Sequence, residues 1–417
     1  MSRYLLSLIE QGAASLINLG LNLLLIRLVG AGEYGAFIFW SNAGLILNSV
    51  QNALTACHVV VLPPGAEARA ARVIPERILL SVSVLFALLA ALGTLLAIVL
   101  LRRTGSILAI WPVVAFVPAF LLQQYARSLA FSRAAPGIAA SLTVSVLVLG
   151  GALLIAAYLA GIHLDAGHAL AILAIAYGGV AVIGLWRLDG GGGVAFDRAT
   201  LAAYRPYLTD SRWVLLGAST TELLSRFYGF IVIAWFGAVA LGTLSAAQLL
   251  LRPMVLLVNA WSPVARAAMA NARERGDWPG FRHHMLRAVV ANLVFGVPWT
   301  VAVFLAWPLI SEYLYKGAYA DAAPIALLWG VSSILGGFQV IPNIGLQVLR
   351  AFRLLSYANL AAALSAVGSI TLLLGLFAYP AAVVGTMVGQ CVEIGLMVVF
   401  LARLVPPRMS AGVTATP

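Results

Sequence analysis

The chain has 417 residues, of which 62% are apolar and only 9% charged, against about 25% charged in an ordinary soluble protein. That balance excludes a soluble globular enzyme, a disordered chain and a disulfide scaffold, and it leaves a polytopic membrane protein. The net charge is +11, but the basic residues lie in short segments between apolar runs, which is the pattern of cytoplasmic loops and gives no reason to expect nucleic acid as a partner.

Lipid requires every backbone polar group to be satisfied, so long apolar runs mean helices, and the alternating pattern of a membrane β-barrel is absent. About twelve runs are long enough to span a bilayer, at ~20 mostly apolar residues each. They cover approximately 5–28, 35–62, 78–101, 108–129, 138–161, 169–187, 208–235, 239–264, 285–308, 323–346, 355–377 and 381–404. The first run is interrupted by Glu10 and Gln11 and is not closed by a small-residue cleavage site, so it reads as a retained membrane helix and not as a signal peptide.

Run 1 carries Ser7, Gln11, Ser15, Asn18 and Asn22 at helical spacing, one polar stripe flanked by Glu10. Run 2 adds Ser41, Asn42, Asn48, Gln51 and Asn52. Such density does not belong against lipid. It is either interhelical hydrogen bonding or the wall of a wet cavity. Cys57 and Cys391 lie inside apolar runs and read as buried free thiols. No Cys/His cluster suggests a metal, and no motif suggests a cofactor. His58, His283 and His284 read as interface residues, and His163, Asp165 and His168 lack a metal-ligand spacing.

The hydrophilic stretches near 187–205 and 265–284 are too short for domains of ~50 residues or more. Asp189-Gly190-Gly191-Gly192-Gly193 lacks the Lys and the strand–helix setting of a phosphate loop, and reads as a flexible linker. The chain then divides into a six-helix lobe at 1–187, a cytoplasmic linker at 188–205, a second six-helix lobe at 206–404 and a cytoplasmic tail at 405–417. A repeat supports this division. Leu28-Val29-Gly30-Ala31-Gly32-Glu33-Tyr34-Gly35 and Trp235-Phe236-Gly237-Ala238-Val239-Ala240-Leu241-Gly242 both read Gly-Ala-x-x-x-Gly, 207 residues apart. A fainter echo pairs Leu122-Gln123 and Arg127 with Leu346-Gln347 and Arg350. With the N-terminus in the cytoplasm, 18 basic residues fall in inside segments and 4 outside, so both termini are expected to be cytoplasmic. Repeated halves place a site near the midplane where they meet.

Charge enters the membrane in the second half. Run 7 contains Asp210, Arg212, Glu222 and Arg226, and run 8 carries Gln248, Arg252 and Asn259 on one face. Glu222 and Arg252 fall near the middles of these runs. A charge at that depth costs ~3 kcal/mol or more unpaired, and marks a functional site by default. The alternative is a structural ion cluster of Glu222, Arg226 and Arg252. For Arg212 it is snorkelling to the interface. Two arginines against one glutamate leave surplus positive charge, which suits an anionic ligand and, through a bidentate fork, phosphate. Glu393, beside Gln390 in run 12, is either a proton-coupling carboxylate or a neutral, hydrogen-bonded one.

These residues also carry a family resemblance. Ile26-Arg27-Leu28-Val29-Gly30-Ala31-Gly32-Glu33-Tyr34-Gly35 resembles the turn after the first helix of bacterial polysaccharide and O-antigen flippases. Tyr313-Leu314-Tyr315-Lys316-Gly317-Ala318-Tyr319-Ala320-Asp321-Ala322 resembles an outside segment of the same family, as does the order of run 7, Gly237, Gly242 and a polar run 8 ending at Pro263. The flippases belong to the multidrug/oligosaccharidyl-lipid/polysaccharide exporter superfamily. The resemblance implies a V of two six-helix lobes whose helices 1, 2, 7 and 8 line a cavity. It implies transport of an undecaprenyl-pyrophosphate-linked oligosaccharide across the bacterial inner membrane for surface polysaccharide (O-antigen, capsule or exopolysaccharide), with polysaccharide-assembly proteins as partners. Gln11, Asn18, Asn22, Asn48, Gln51, Asn52, Gln248 and Asn259 are then expected to hold sugar, with Arg212, Glu222, Arg226 and Arg252 at the pyrophosphate end. Glu10, Glu222 and Glu393 are the coupling candidates. A cation-coupled drug exporter of the same superfamily is the main rival, though it calls for acidic residues in the cavity where the deep charge here is positive. A membrane polymerase or ligase calls for a large outside loop, and the outside loops are short. A purely structural membrane protein leaves the buried charge unexplained.

Overall fold

The computed structural model describes residues 3–62, 69–101, 110–188 and 193–405. Among them there is no strand; the elements are helices joined by short turns. In order they are α1 (Arg3–Leu28), α2 (Ala31–Gln51), a π-helical turn (Asn52–Ala56) leading into α3 (Cys57–Val60), α4 (Arg69–Leu101), α5 (Ile110–Ser132), α6 (Pro136–Leu159) and α7 (Ala166–Arg187). There follow α8 (Arg198–Ala203), α9 (Arg205–Ser225), α10 (Tyr228–Leu249), α11 (Arg252–Glu274), α12 (Trp278–Leu305), α13 (Trp307–Leu309), α14 (Ala323–Val348), α15 (Phe352–Phe377) and α16 (Ala381–Leu404).

Local chemistry sets several boundaries. Asp165 caps α7 by accepting the His168 backbone N–H at 2.7 Å. Burial opposes ionisation of that carboxyl, but the hydrogen bonds from His168 outweigh it and hold Asp165 below the usual carboxylate range. Asp277 caps α12 through the Gly280 N–H at 2.8 Å. Pro136 stands in the first turn of α6, where its missing N–H costs nothing. Gly237 has φ +77° and ψ −179°, outside the reach of an L side chain, and folds α10 where runs 7 and 8 were expected to separate.

The structure differs from the expected spans in a consistent way. Helices α4, α11 and α12 extend several residues beyond their apolar runs, because hydropathy marks the lipid-facing part and the helix continues into polar turns. Runs 7 and 8 are not continuous helices. Run 7 breaks at Arg226-Phe227, where Gly229 N–H bonds to Arg226 C=O at 3.0 Å. Run 8 breaks before Arg252, where Leu251 N–H reaches Gln248 C=O at 3.0 Å. Pro253 has no N–H to offer the Leu249 carbonyl, which accounts for the second break. Among the described residues nine helical stretches are long and apolar enough to cross a membrane. Val214–Leu249 counts as one of them, whereas Ala31–Gln51 and Arg252–Glu274, diluted by polar residues, are not among the nine.

The chain forms two compact units, one of Met1–Glu222 with Val232–Thr243, the other of Leu223–Ile231 with Leu244–Pro417. In the first, α5 packs on α4, α6 and α7, α1 on α6, and α2 on α5 and α7. Its core includes Leu79, Tyr125, Leu129, Leu142, Val146 and Val180. In the second, α14 packs on α11, α12 and α16, and α15 lies along α16, around Met269, Phe281, Ile344, Leu346 and Met397. The opposite faces are apolar and exposed. Leu88, Leu92, Leu96 and Leu100 form one such line on α4, as lipid contact requires.

The Gly-Ala-x-x-x-Gly repeat is a physical contact inside the first unit. A Cβ on Gly35 would overlap the Ala238 carbonyl, and a Cβ on Gly242 would overlap the Ala31 carbonyl. The 207-residue offset converts one contact into the other, so the two copies cross reciprocally, backbone against backbone. Close approach of this kind is the usual role of small residues between membrane helices.

A second tie is ionic. Arg72 contacts Glu76 at 2.8 Å, Arg133 holds the other Glu76 oxygen, and Arg72 also donates to the Ser132 carbonyl at 3.1 Å. Arg133 further donates to the Leu188 carbonyl beyond the end of α7. Glu76 and Arg72 are buried, although the sequence places Arg72 and Arg133 among ordinary loop charges. The segment after the glycine run is also fastened, with Ala195 N–H on Ser81 Oγ at 2.9 Å and Tyr204 OH on the Leu54 carbonyl at 2.8 Å. Residues 189–192 and the tail 406–417 lie outside the described residues. Removing one partner of a buried charge cluster costs about 3–5 kcal/mol. Glu76→Ala should therefore lower the thermal unfolding midpoint of the purified protein markedly, while Arg77→Ala, one residue on and exposed, changes it little.

Candidate functional site

The polar residues of runs 1 and 2 divide into two groups. Asn22 is buried, donates to the Asn18 carbonyl oxygen at 2.5 Å and to Asn18 Oδ1 at 2.9 Å, and accepts from Tyr34 OH at 2.9 Å. Gln51 is 1% exposed and donates to Ser83 Oγ on α4 at 2.7 Å. These two are fastened within the protein, as the interhelical hydrogen-bonding reading expects. Asn18 and Asn52 are exposed and Asn48 is half-buried. Asn52 opens the π-turn, a local irregularity that frequently sits at functional sites. The side chains of Glu10, Gln11 and Asn259 lie outside the described residues.

Glu222 is half-buried and accepts from Ser49 Oγ of α2 at 2.6 Å, so a carboxylate of run 7 meets a hydroxyl of run 2. Nearer the expected cytoplasmic end, His58 Nε2 lies 2.8 Å from Ser211 Oγ, and its ring meets Tyr207 edge-on at 5.3 Å. Arg212 is exposed, in keeping with an interfacial position.

In the second unit Arg226 stands in the break between α9 and α10, and Arg252 opens α11 after the next break. Both are half-buried and both act electrostatically on Tyr228. Tyr228 is buried and packs on Trp329 with ring centroids 5.3 Å apart. Gln248, half-buried, supplies its backbone carbonyl to the turn that precedes Arg252. The two deep arginines thus sit at interruptions of the helical path and not in mid-helix as the run lengths suggested. Discontinuous membrane helices free backbone donors and acceptors, and ion and substrate sites of transporters are built there.

Glu393 belongs to a separate polar cluster. It is 2% exposed on α16. Gln339 of α14 donates to Oε2, and Asn359 of α15, with its amide nitrogen turned inward, reaches Oε1 at 2.9 Å. One turn away Ser332 donates to Gln390 Oε1 at 3.1 Å. The carboxyl is met by neutral amides from two helices.

Ser49, Ser83, Gln339, Asn359 and the Arg72–Glu76–Arg133 cluster take part in these networks and were not singled out from the sequence. Gln339 and Asn359 each stand inside an apolar run, a signal available in principle. Ser49 and Ser83 give no such signal, since serine satisfies itself on its own helix. Cys391 is exposed and not buried, and Cys57 is half-buried. Among the described residues no group of three or more His, Cys, Asp or Glu is placed to hold a metal.

No protein-family model and no curated protein matches the sequence. Solved structures do match over nearly the whole chain. One is the inward-facing conformation of a multidrug resistance MATE family transporter of the MOP superfamily, with 14% identity and a TM-score of 0.74 over 94% of this chain and 95% of that one. A second is the lipid II flippase MurJ in an inward closed conformation, with 12% identity and a TM-score of 0.70 over 96% of this chain and 87% of that one. A third is a MOP superfamily transporter from Pyrococcus furiosus, with 13% identity and a TM-score of 0.62 over 97% and 95%.

The two groups of amides make opposite predictions. Gln51→Leu removes a buried interhelical hydrogen bond worth about 0.6–1.7 kcal/mol, and should lower the unfolding midpoint. Asn52→Ala, at an exposed position, should leave the midpoint unchanged. At this degree of identity the likeness carries fold and not substrate, and this multi-pass, all-helical membrane chain has the fold of the MOP-superfamily transporters.

Proposed function

We propose that the chain is a flippase that moves an undecaprenyl-pyrophosphate-linked oligosaccharide from the cytoplasmic to the periplasmic leaflet of the bacterial inner membrane, for assembly of O-antigen, capsule or exopolysaccharide. The observation that carries this reading is the placement of Arg226 and Arg252, both half-buried, at two breaks in the helical path. Guanidinium forks bind phosphate oxygens bidentately, and a low-dielectric setting strengthens the interaction. In this reading Arg226 and Arg252, with Arg212 nearer the interface, hold the pyrophosphate, and Glu222 sets the local charge balance. Asn18, Asn48, Asn52, Gln248, Gln11 and Asn259 replace water around the sugars, with Asn22 and Gln51 positioning their neighbours. The apolar tail stays in lipid. Two six-helix lobes, 1–187 and 206–404, joined by 188–205, alternate the site between the two sides, with both termini, including the tail 405–417, in the cytoplasm. MurJ, named a lipid II flippase, supports the substrate class.

Coupling falls to Glu393 in this scheme, with Glu10 and Glu222 as further carboxylates. Glu393 is buried and both of its oxygens accept from amides, so taking up a proton would disturb one of those hydrogen bonds and tie proton uptake to the packing of α14, α15 and α16. The MATE likeness supports a second reading, a cation-coupled multidrug exporter. Arg226 and Arg252 weigh against it, since a cationic drug calls for acidic groups.

The test is transfer of a fluorescent polyprenyl-pyrophosphate oligosaccharide between leaflets of liposomes holding the full chain. Hydrogen bonds to charged groups are worth about 1.5–3 kcal/mol, so Arg252→Ala should slow transfer by about 10–100-fold. Unchanged transfer at equal protein level, or transport of cationic drugs with no lipid transfer, would overturn the reading. In the same liposomes an imposed proton gradient should speed the wild type and leave Glu393→Gln unaffected; equal stimulation of both would remove Glu393 from coupling.

A further inference from the structure

A basic surface on α12 plays no part in this scheme. Arg282, His283, His284 and Arg287 occupy four of the six positions 282–287, with no acidic residue among them. His283 and Arg287 are exposed and share one face, a turn apart. With Leu286, Val290, Ala291 and Val294 they form a shallow, open groove along the face of this one helix. A second hollow of about 450 Å³ adjoins it and shares His283 and Leu286, and its wall includes Arg282.

The rest of the face is apolar and open. Leu286, Val290 and Val294 are 59%, 50% and 67% exposed and follow one another at four-residue steps. The groove is therefore polar and basic at the N-terminal end of α12 and apolar along its length. An anionic phospholipid has that division, with its phosphate at the basic end and an acyl chain lying parallel to the helix. A soluble anion would leave the apolar ladder uncovered, and a neutral lipid would make no use of the Arg287 guanidinium. The charge distribution of the sequence places this end of α12 in the cytoplasm, where anionic lipid is concentrated and each nearby basic side chain contributes about 1 kcal/mol to its capture.

We propose that this groove binds an anionic phospholipid, its phosphate held by Arg287 and His283 with Arg282 beside them, and one acyl chain laid along Leu286, Val290 and Val294. The site lies within the second unit and needs no residue assigned to substrate.

The test uses the purified full chain in nanodiscs made from equal parts of phosphatidylcholine and cardiolipin, released into the gas phase for native mass spectrometry. The wild type should retain cardiolipin at least ten times more often than phosphatidylcholine. H283Q combined with R287Q should cut that retention at least five-fold, while R198Q, an exposed arginine of the first unit, leaves it unchanged. Unfolding midpoints in detergent keep folding separate from binding, and single H283Q and R287Q variants serve if the pair is unstable. Equal retention of the two lipids by the wild type overturns the proposal, as does undiminished cardiolipin retention by folded variants.

Discussion

Hydrocarbon does not solvate a peptide group or a charge, and most of this structure follows from that constraint. It makes the described residues helical, because a membrane-spanning helix satisfies its own backbone. It also obliges buried polar side chains to find partners inside the protein. Asn22, Gln51 and Glu76 are buried and bonded to Tyr34 of α2, Ser83 of α4 and Arg133 just beyond α5. Arg226 and Arg252 stand where the helical path is interrupted. An interruption in lipid is itself costly, so two of them beside two guanidinium groups point to a common purpose.

The reciprocal contact between Gly35 and Gly242 shows how the same economy shapes packing. Lipid tails are as apolar as Leu, so burial of apolar surface does little to drive helices together, and close approach of backbones takes its place. The repeat places a glycine at each corresponding position, and each glycine meets the carbonyl of the other copy. A short sequence signature that looks like turn chemistry therefore also serves as a packing surface. The two roles fall to different glycines: Gly237, with positive φ and nothing packed against it, makes the bend, and Gly242 makes the crossing.

Fold class was legible because composition and run length depend on the solvent and not on tertiary detail. The polar residues of runs 1, 2, 7, 8 and 12 were legible for the same reason, since a polar side chain in an apolar run demands an account. What each one does was not legible. Gln51 and Asn52 are adjacent in sequence and alike in chemistry, yet one is bonded to Ser83 and the other heads a π-turn facing outward. A π-turn shifts helical register without altering hydropathy. The breaks at Arg226 and Arg252 escaped the run lengths because a single tight turn leaves the apolar count unchanged; Pro253 was the one visible sign of the second. The Arg72–Glu76–Arg133 cluster passed for loop charge because burial there comes from α5 and the end of α7, far away in sequence.

Translocation of a pyrophosphate-linked glycan, as proposed, is tested most directly in the native host with this gene deleted. Surface polysaccharide and lipid-linked oligosaccharide on the cytoplasmic face are quantified together. A flippase requires loss of the surface polymer with accumulation of complete lipid-linked units, a defect reversed by the wild-type gene and not by Arg252→Ala. Normal polymer with no accumulated intermediate, in a strain without a second flippase, would contradict it.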